Sequence, residues 1–508
     1  MQSLSPLLSG QQQERFRVAL RQLDARGDRP VLWLGGTAVG YVLLQLVLVV
    51  PGLGLGWDET VYVSQVDPRH PAAYLSAPRA RGISYLVAPL LAVTGSETAL
   101  RLYLAALSGL ALFLALWVWR HLLPPPVLAL AGGLFATLWI SLFYGPQVMP
   151  NLWVALAALA AVGCFLRAGA DAGDRGALVG LGLTLAAVAL LRPPDAAWLA
   201  LPLGVAALVV PGWRRARLLA ALVLGPLAGA APWVADAYAD YGGLLARLER
   251  ASEIQGGLGW NLAFADQLYA QAGRSLCRPC TIGWEQPVTG LWWLLLPLAV
   301  GYGLVVALRA RGVRRRWRAP VVLATAVGGT LAVPYLLLID YAAPRFLLPT
   351  YALLALPVAF GLVRLVTGGR RGLRPVVAGV LVLALAAHVA VQVGVARGAA
   401  ARSGAAGEAV AAVAAELNRA GVRTPCVVSG HDAVRVAYRA GCASRQASGH
   451  DESITVAGLR GLAERMPVAV LVAGGERAPG YARGWRAVRL PSWASSPSYG
   501  AYVSPSAR

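Results

Sequence analysis

Apolar residues along this chain come in blocks of roughly 20, the length an α-helix needs to cross about 30 Å of hydrocarbon. The blocks predict spans at 31–53, 97–119, 126–145, 149–166, 177–192, 196–211, 218–236, 288–308, 320–339, 346–366 and 375–397, eleven crossings in all. Within lipid only helices and closed barrels satisfy their backbone, and the strict alternation of a barrel strand is absent, so helices are predicted. The block 82–94 is apolar but short and reads as an interfacial or re-entrant helix. No small-residue cleavage site follows 31–53, which reads as a retained first span rather than a signal peptide.

Polar residues concentrate in three stretches: 54 to about 81, 237–287, and everything after about 398. Small residues from Arg397 to Gly407 read as a flexible linker to a domain of roughly 100 residues. There a helix-like 407–420 precedes apolar runs at Cys426 to Ser429 and Val468 to Ala473 and a strand-like Trp485 to Leu490. The expected fold is therefore an all-α polytopic membrane protein with a small C-terminal α/β domain. Its parts are a cytoplasmic segment 1–30, a membrane domain 31–397 with outer loops 54–96 and 237–287, and an extracytoplasmic domain 398–508.

Composition agrees: 57% of residues are hydrophobic and 14% charged, a balance that excludes an ordinary soluble protein. The net charge of +21 does not imply nucleic acid, because the basic side chains, all arginine, collect between apolar blocks. Clusters fall at Arg15, Arg17, Arg21, Arg26 and Arg29, at Arg214, Arg215 and Arg217, at Arg314 to Arg318, and at Arg370, Arg371 and Arg374. With eleven spans every cluster lands on the cytoplasmic side, as the positive-inside rule requires. Absence of lysine points to a GC-rich bacterial genome and so to the plasma membrane. Cys277 and Cys280 share one outer loop and Cys426 and Cys442 the outer domain, pairings that an oxidising compartment favours as disulfides. A lone CxxC without nearby histidines is weak evidence for zinc or thiol exchange.

Chemistry is best sought where the first span ends, at Gly56-Trp57-Asp58-Glu59-Thr60-Val61-Tyr62. A carboxylate partly desolvated at a membrane surface can accept a proton from an incoming hydroxyl, the task of a general base. The competing reading has Asp58 capping a helix and Glu59 solvated. Gly52-x-Gly54-x-Gly56 follows no strand and reads as packing or a helix end. His431-Asp432 and His450-Asp451-Glu452 lack a nucleophile at matching spacing and read as solvated surface.

The box Trp57-Asp58-Glu59, with Tyr62 after it, is followed by Arg81-Gly82-Ile83-Ser84-Tyr85, Thr94-Gly95-Ser96-Glu97 and Ala99-Leu100-Arg101-Leu102. This order resembles the GT-C superfamily of membrane glycosyltransferases, especially the branch of protein O-mannosyltransferases and lipid A aminoarabinose transferases. Leu191-Arg192-Pro193-Pro194 and Ala343-Pro344-Arg345-Phe346-Leu347-Leu348-Pro349 are similar to further elements of that family, and the resemblance covers roughly 31–370. It implies a polyprenyl-phosphate sugar donor, Asp58 as base, and Glu59 supporting it. Arg345 and Arg192, helped by Arg81 or Arg101, would hold the donor phosphate, which suits a guanidinium. Tyr62 and Trp284 would contact sugar or acceptor.

Asn151 departs from the family, standing where many relatives carry a second acid. An amide cannot act as a base, though it can hydrogen-bond substrate or orient Asp58, and no metal or other cofactor is assigned. The acceptor is left open among glycan, lipid and protein. Two rival readings are a transporter or flippase for a lipid-linked substrate and a non-catalytic assembly protein of the cell envelope. Against the transporter, ionisable residues collect at loop ends rather than at mid-membrane.

Overall fold

The computed structural model describes residues 30–257, 259–278, 283–284, 286–368, 371–473, 476–491 and 499–507. Among them, eight helices are long and apolar enough to cross a membrane: Pro30–Gly52, Glu97–Val118, Pro150–Ala170, Ala216–Asp240, Pro287–Leu308, Arg315–Leu337, Pro344–Gly368 and Arg374–Arg419. The other three expected spans form shorter helices. Block 126–145 splits into Pro125–Ala136 and Trp139–Tyr144 because Leu138 is extended (ψ 135°), and Gln392 Oε1 accepts the freed Trp139 N–H at 2.9 Å. Arg175–Leu191 and Pro193–Val209 are separated at Arg192, where Pro193 and Pro194 cannot continue the preceding helix but suit the first turn of the next. The block 82–94 forms the ten-residue helix Gly82–Leu91.

Small residues set how closely these helices approach. A Cβ on Gly229 would lie 2.0 Å from Ala186 O, and one on Gly82 would lie 2.5 Å from Leu190 O. Gly225 and Gly229, four apart, thus let Ala216–Asp240 lie against Arg175–Leu191 backbone to backbone, as small residues do between membrane helices. Gly82 seats the short helix beside the Leu191–Arg192 corner, which brings Arg81 and Arg192 into one neighbourhood.

The stretch Arg397 to Gly407, expected as a flexible linker, is instead continuous helix within Arg374–Arg419. Alanine dominates it and is the best helix former, and its glycines have a packing role. A Cβ on Gly404 would lie 2.6 Å from Gly52 O, and one on Gly407 3.2 Å from Gly54 Cα. The glycines 52 and 54 are therefore packing residues, as expected. They clamp the chain entering the Asp58 loop against the helix that leads into the C-terminal domain.

That domain carries a five-stranded sheet of order β2-β1-β3-β5-β4, from β1 (Val427–Gly430), β2 (Ala443–Ser444), β3 (Val468–Ala473), β4 (Arg486–Arg489) and β5 (Tyr499–Val503). β1 pairs parallel with β2 and β3, while β5 pairs antiparallel with β3 and β4. The helix Ala433–Ala440 links β1 to β2, and a Cys426–Cys442 disulfide ties the start of one strand to the start of the other. Val410, Val413 and Leu417 of the long helix complete this domain's core. The small α/β domain expected from the sequence is present.

Helix ends sort into two sets. The C-terminal ends of Pro30–Leu48, Arg175–Leu191, Ala216–Asp240 and Arg318–Leu337 meet the N-terminal ends of Glu97–Val118, Pro150–Ala170 and Leu348–Gly368 beneath the C-terminal domain. Arg214, Arg215 and Arg217, Arg315 to Arg318, and Arg374 stand at helix starts on the opposite end. The N-terminal cluster and Arg370 lie outside the described residues, as does Cys280, so the expected Cys277–Cys280 pairing does too.

Candidate active site

Gly56 N-caps the helix Trp57–Ser64, which places Asp58 and Glu59 in its first turn on different faces. Glu59 turns inward. Its carboxylate accepts from Gly56 N at 2.9 Å, from Val148 N at 2.7 Å, and from Arg101. Arg101 also donates to Pro146 O at 2.9 Å and Gly54 O at 2.8 Å, and both side chains are buried. The competing sequence reading is thus inverted: Glu59 does the capping and is buried, while Asp58 is left for other work. Arg101, expected near the lipid phosphate, braces the loop ends through Glu59.

Asp58 is 30% exposed and holds two guanidinium groups. Arg79 Nη2 donates to Oδ1 at 2.8 Å and Arg345 Nη2 to Oδ2 at 3.0 Å. Burial pushes the Asp58 pKa up, but Arg79, then Arg345 and Arg192, outweigh it and hold the carboxyl below its usual range. Tyr62, one helical turn on, is buried within the field of the same four groups, and burial raises its phenol pKa.

Each arginine is itself positioned. Arg345 lies on the 3-10 turn Pro344–Leu347, where Nη1 donates to Ser275 O at 2.9 Å. Arg192 donates to Asp195 Oδ2 and to the Tyr335 hydroxyl, each at 2.8 Å. Both stand over the Phe346 ring, Arg345 at 5.2 Å and Arg192 at 4.8 Å from its centroid, so two cations share one aromatic floor. Arg81 is held to one side by Asp236 at 2.8 Å and Gln65 at 3.3 Å.

Sequence reasoning missed Arg79 and Arg247. Arg79 stacks on Trp57 at 4.9 Å and bridges Asp58 to Asp451 of the C-terminal domain, 3.3 Å away. Arg247, fully buried, fixes the backbone around it by donating to Ala77 O at 3.1 Å and Arg79 O at 2.9 Å. Each is one of several arginines in its polar loop, and spacing does not distinguish it from its neighbours. Asp451, expected on a solvated surface, has only 15% of its side chain exposed, a correction that follows from the domain's docking. Asn151 is buried, its Oδ1 accepts no hydrogen bond, and it is not a partner of Asp58. Trp284 is exposed in loop 237–287 and is not among the groups gathered at Asp58. Among the described residues no group of three or more His, Cys, Asp or Glu is placed to hold a metal ion.

By sequence the chain matches no protein-family model and no curated protein. By fold it matches ArnT from Cupriavidus metallidurans bound to undecaprenyl phosphate, with a TM-score of 0.67 at 13% identity over 94% of this chain and 99% of that one. The same protein in the apo state gives 0.62 at 12% identity, over 93% and 97%. The apo oligosaccharyltransferase of Archaeoglobus fulgidus gives 0.52 at 14% identity, over 87% of this chain and 70% of its own. The likeness is one of fold: a polytopic helical membrane domain followed by a small C-terminal sheet domain.

Proposed function

We propose that this chain is an inverting glycosyltransferase that moves a sugar from a polyprenyl phosphate to an acceptor on the outer face of the plasma membrane. One observation carries the reading: a single partly exposed carboxylate, Asp58, lies between two guanidinium groups on the rim where the helix ends converge. The arginine clusters at the opposite helix ends favour an extracytoplasmic site by the positive-inside rule. ArnT, which shares the fold, was solved with undecaprenyl phosphate, and that ligand is the chemistry two arginines on one aromatic floor would suit.

Asp58 cannot act as a base while both its oxygens accept from arginine. In the proposed cycle the donor phosphodiester, whose two free oxygens can accept from a guanidinium together and which gains a second charge as it departs, draws Arg345 from Oδ2. The freed oxygen takes the proton of the acceptor hydroxyl. The acceptor oxygen bonds to the anomeric carbon as the bond from that carbon to the phosphate oxygen breaks, its electron pair leaving on the phosphate. Attack opposite the leaving group inverts the carbon. Arg345 and Arg192 stabilise the departing phosphate, and Arg81 flanks the lipid head. Tyr62, one helical turn beyond Asp58, would stand beside the sugar. The reading assigns no metal or other cofactor, because phosphate leaves readily and one base is enough.

The experiment is to incubate purified full-length protein with a panel of polyprenyl-phosphate sugars and to follow release of polyprenyl phosphate. Release that depends on Asp58 is the expected result. An Asp58→Asn protein that folds and transfers at the wild-type rate removes Asp58 from the mechanism. Movement of lipid between leaflets with the sugar-phosphate bond intact would favour the transporter.

A further inference from the structure

Arg79 presents its two terminal nitrogens to two carboxylates from different parts of the fold. Nη2 serves Asp58 at 2.8 Å, while Nη1 reaches Asp451 Oδ1 at 3.3 Å and also donates to Ser76 Oγ. Asp451 lies 372 residues from Arg79 in sequence and belongs to the C-terminal domain. Its approach is not a chance surface contact, because four other bonds and packings hold that domain on loop 54–96 and its neighbours. Tyr438 donates to Asp67 Oδ2 at 2.6 Å, Arg439 pairs with Glu97 at 2.6 Å, and Arg250 donates to Gly449 O at 3.2 Å beside Asp451. Val434 packs on Val61 and Ala73 in a small apolar cluster next to Trp57.

We propose that Asp451 completes the site from the C-terminal domain: by holding one nitrogen of Arg79 it fixes the other on Asp58, and so serves as a positioning residue for the base. The proposal rests on the reading of Asp58 as that base. With Asp451 in place, Arg79 divides its charge between two anions and keeps one geometry. Without it, the whole guanidinium would turn to Asp58 and make that carboxylate a poorer proton acceptor. The domain therefore does more than cover the membrane bundle. It supplies the second anion that shares Arg79 and so keeps Asp58 basic enough to work.

The groups that face Asp451 are Arg79, Asp58 and His450, and those that face Asp58 are Arg79, Arg345 and Arg192. Burial raises the Asp451 pKa and Arg79 only partly opposes it, so the carboxyl is held above its ordinary value. Coupling between two sites is reciprocal, so the influence of Asp451 on Asp58 equals that of Asp58 on Asp451.

The test follows the carboxyl infrared band of Asp451, identified by its loss in Asp451→Asn, in full-length protein without substrate. Replacing Asp58 by Asn removes a like charge and releases Arg79 wholly to Asp451. Both changes favour the ionised form, and the Asp451 midpoint is expected to fall by about 1 pH unit. Replacing Arg79 by Gln should move it the other way. An Asp451 midpoint that is unchanged or higher in Asp58→Asn overturns the proposal. No sugar donor is needed, so this outcome is independent of whether transfer is observed.

Discussion

Arg345 Nη2 lies 3.0 Å from Asp58 Oδ2 although 287 residues separate them in the chain. The first belongs to the turn before Leu348–Gly368 and the second to the loop after the first span. Their ion pair closes the helical bundle at one end and occupies the oxygen that the proposed chemistry needs. On the proposed mechanism the resting site would stay inhibited until the donor phosphate draws that guanidinium away.

Loss of the carboxylate should remove the chemistry without removing the fold. Asp58→Asn keeps two oxygen- or nitrogen-bearing positions of the same shape, on a side chain that is 30% exposed. Release of polyprenyl phosphate is expected to fall by about 100- to 10,000-fold, the usual contribution of a general base. Unchanged size-exclusion behaviour would show that folding is intact.

The acid side of the pH–rate profile reports the same pair. A base whose pKa is depressed is ionised through neutral pH, and its activity is lost only as pH falls through that lowered value. Wild-type kcat/KM should therefore hold down through the usual carboxylate range. In Arg345→Ala one of the three charges opposing burial is gone, so the limb should move upward by about 1 to 3 pH units. Rate measurements across pH with a fixed donor distinguish this from simple loss of donor binding, which would lower kcat/KM without moving the limb.

Glu59 should behave unlike its neighbour. Removing its charge leaves Arg101 buried without a counter-ion, a change that costs about 3–5 kcal/mol when one partner of a buried pair is lost. Glu59→Gln is expected to lower the thermal unfolding midpoint well below that of Asp58→Asn.

Helix packing makes its own forecast. Gly229→Leu would drive a side chain into Ala186, whose carbonyl already stands 2.0 Å from an ideal Cβ, whereas Gly204→Ala meets nothing within 4 Å. Overpacking of this kind costs about 1–3 kcal/mol or more, so the first variant should unfold at lower temperature while the second should not.

The Cys426–Cys442 bond closes a loop of sequence separation 16, and constraining the unfolded chain over such a loop stabilises by about 3 kcal/mol. Reductant should increase protease cleavage within 420–507 of the wild type and leave a Cys426→Ser, Cys442→Ser protein unaffected.

Hydropathy alone determined that this is a helical membrane protein with a small mixed domain at its C-terminal end, because a span must be apolar along its whole length and each block declares itself locally. The adjacent acids at 58 and 59 were legible for the same reason, as was the Pro-Arg-Phe element. Which acid meets Arg79 and Arg345 was not. In the first turn of a helix, a step of one residue rotates a side chain by about 100°, and burial against Arg101 or exposure to Arg79 depends on helices the local sequence does not contain. Nor did sequence distinguish Arg79, Arg247 and Asp451 from other charged loop residues, or show that Arg397 to Gly407 is helix. Their roles arise from contacts between segments far apart in the chain, and only the packing of helix ends beneath the C-terminal domain brings those segments together.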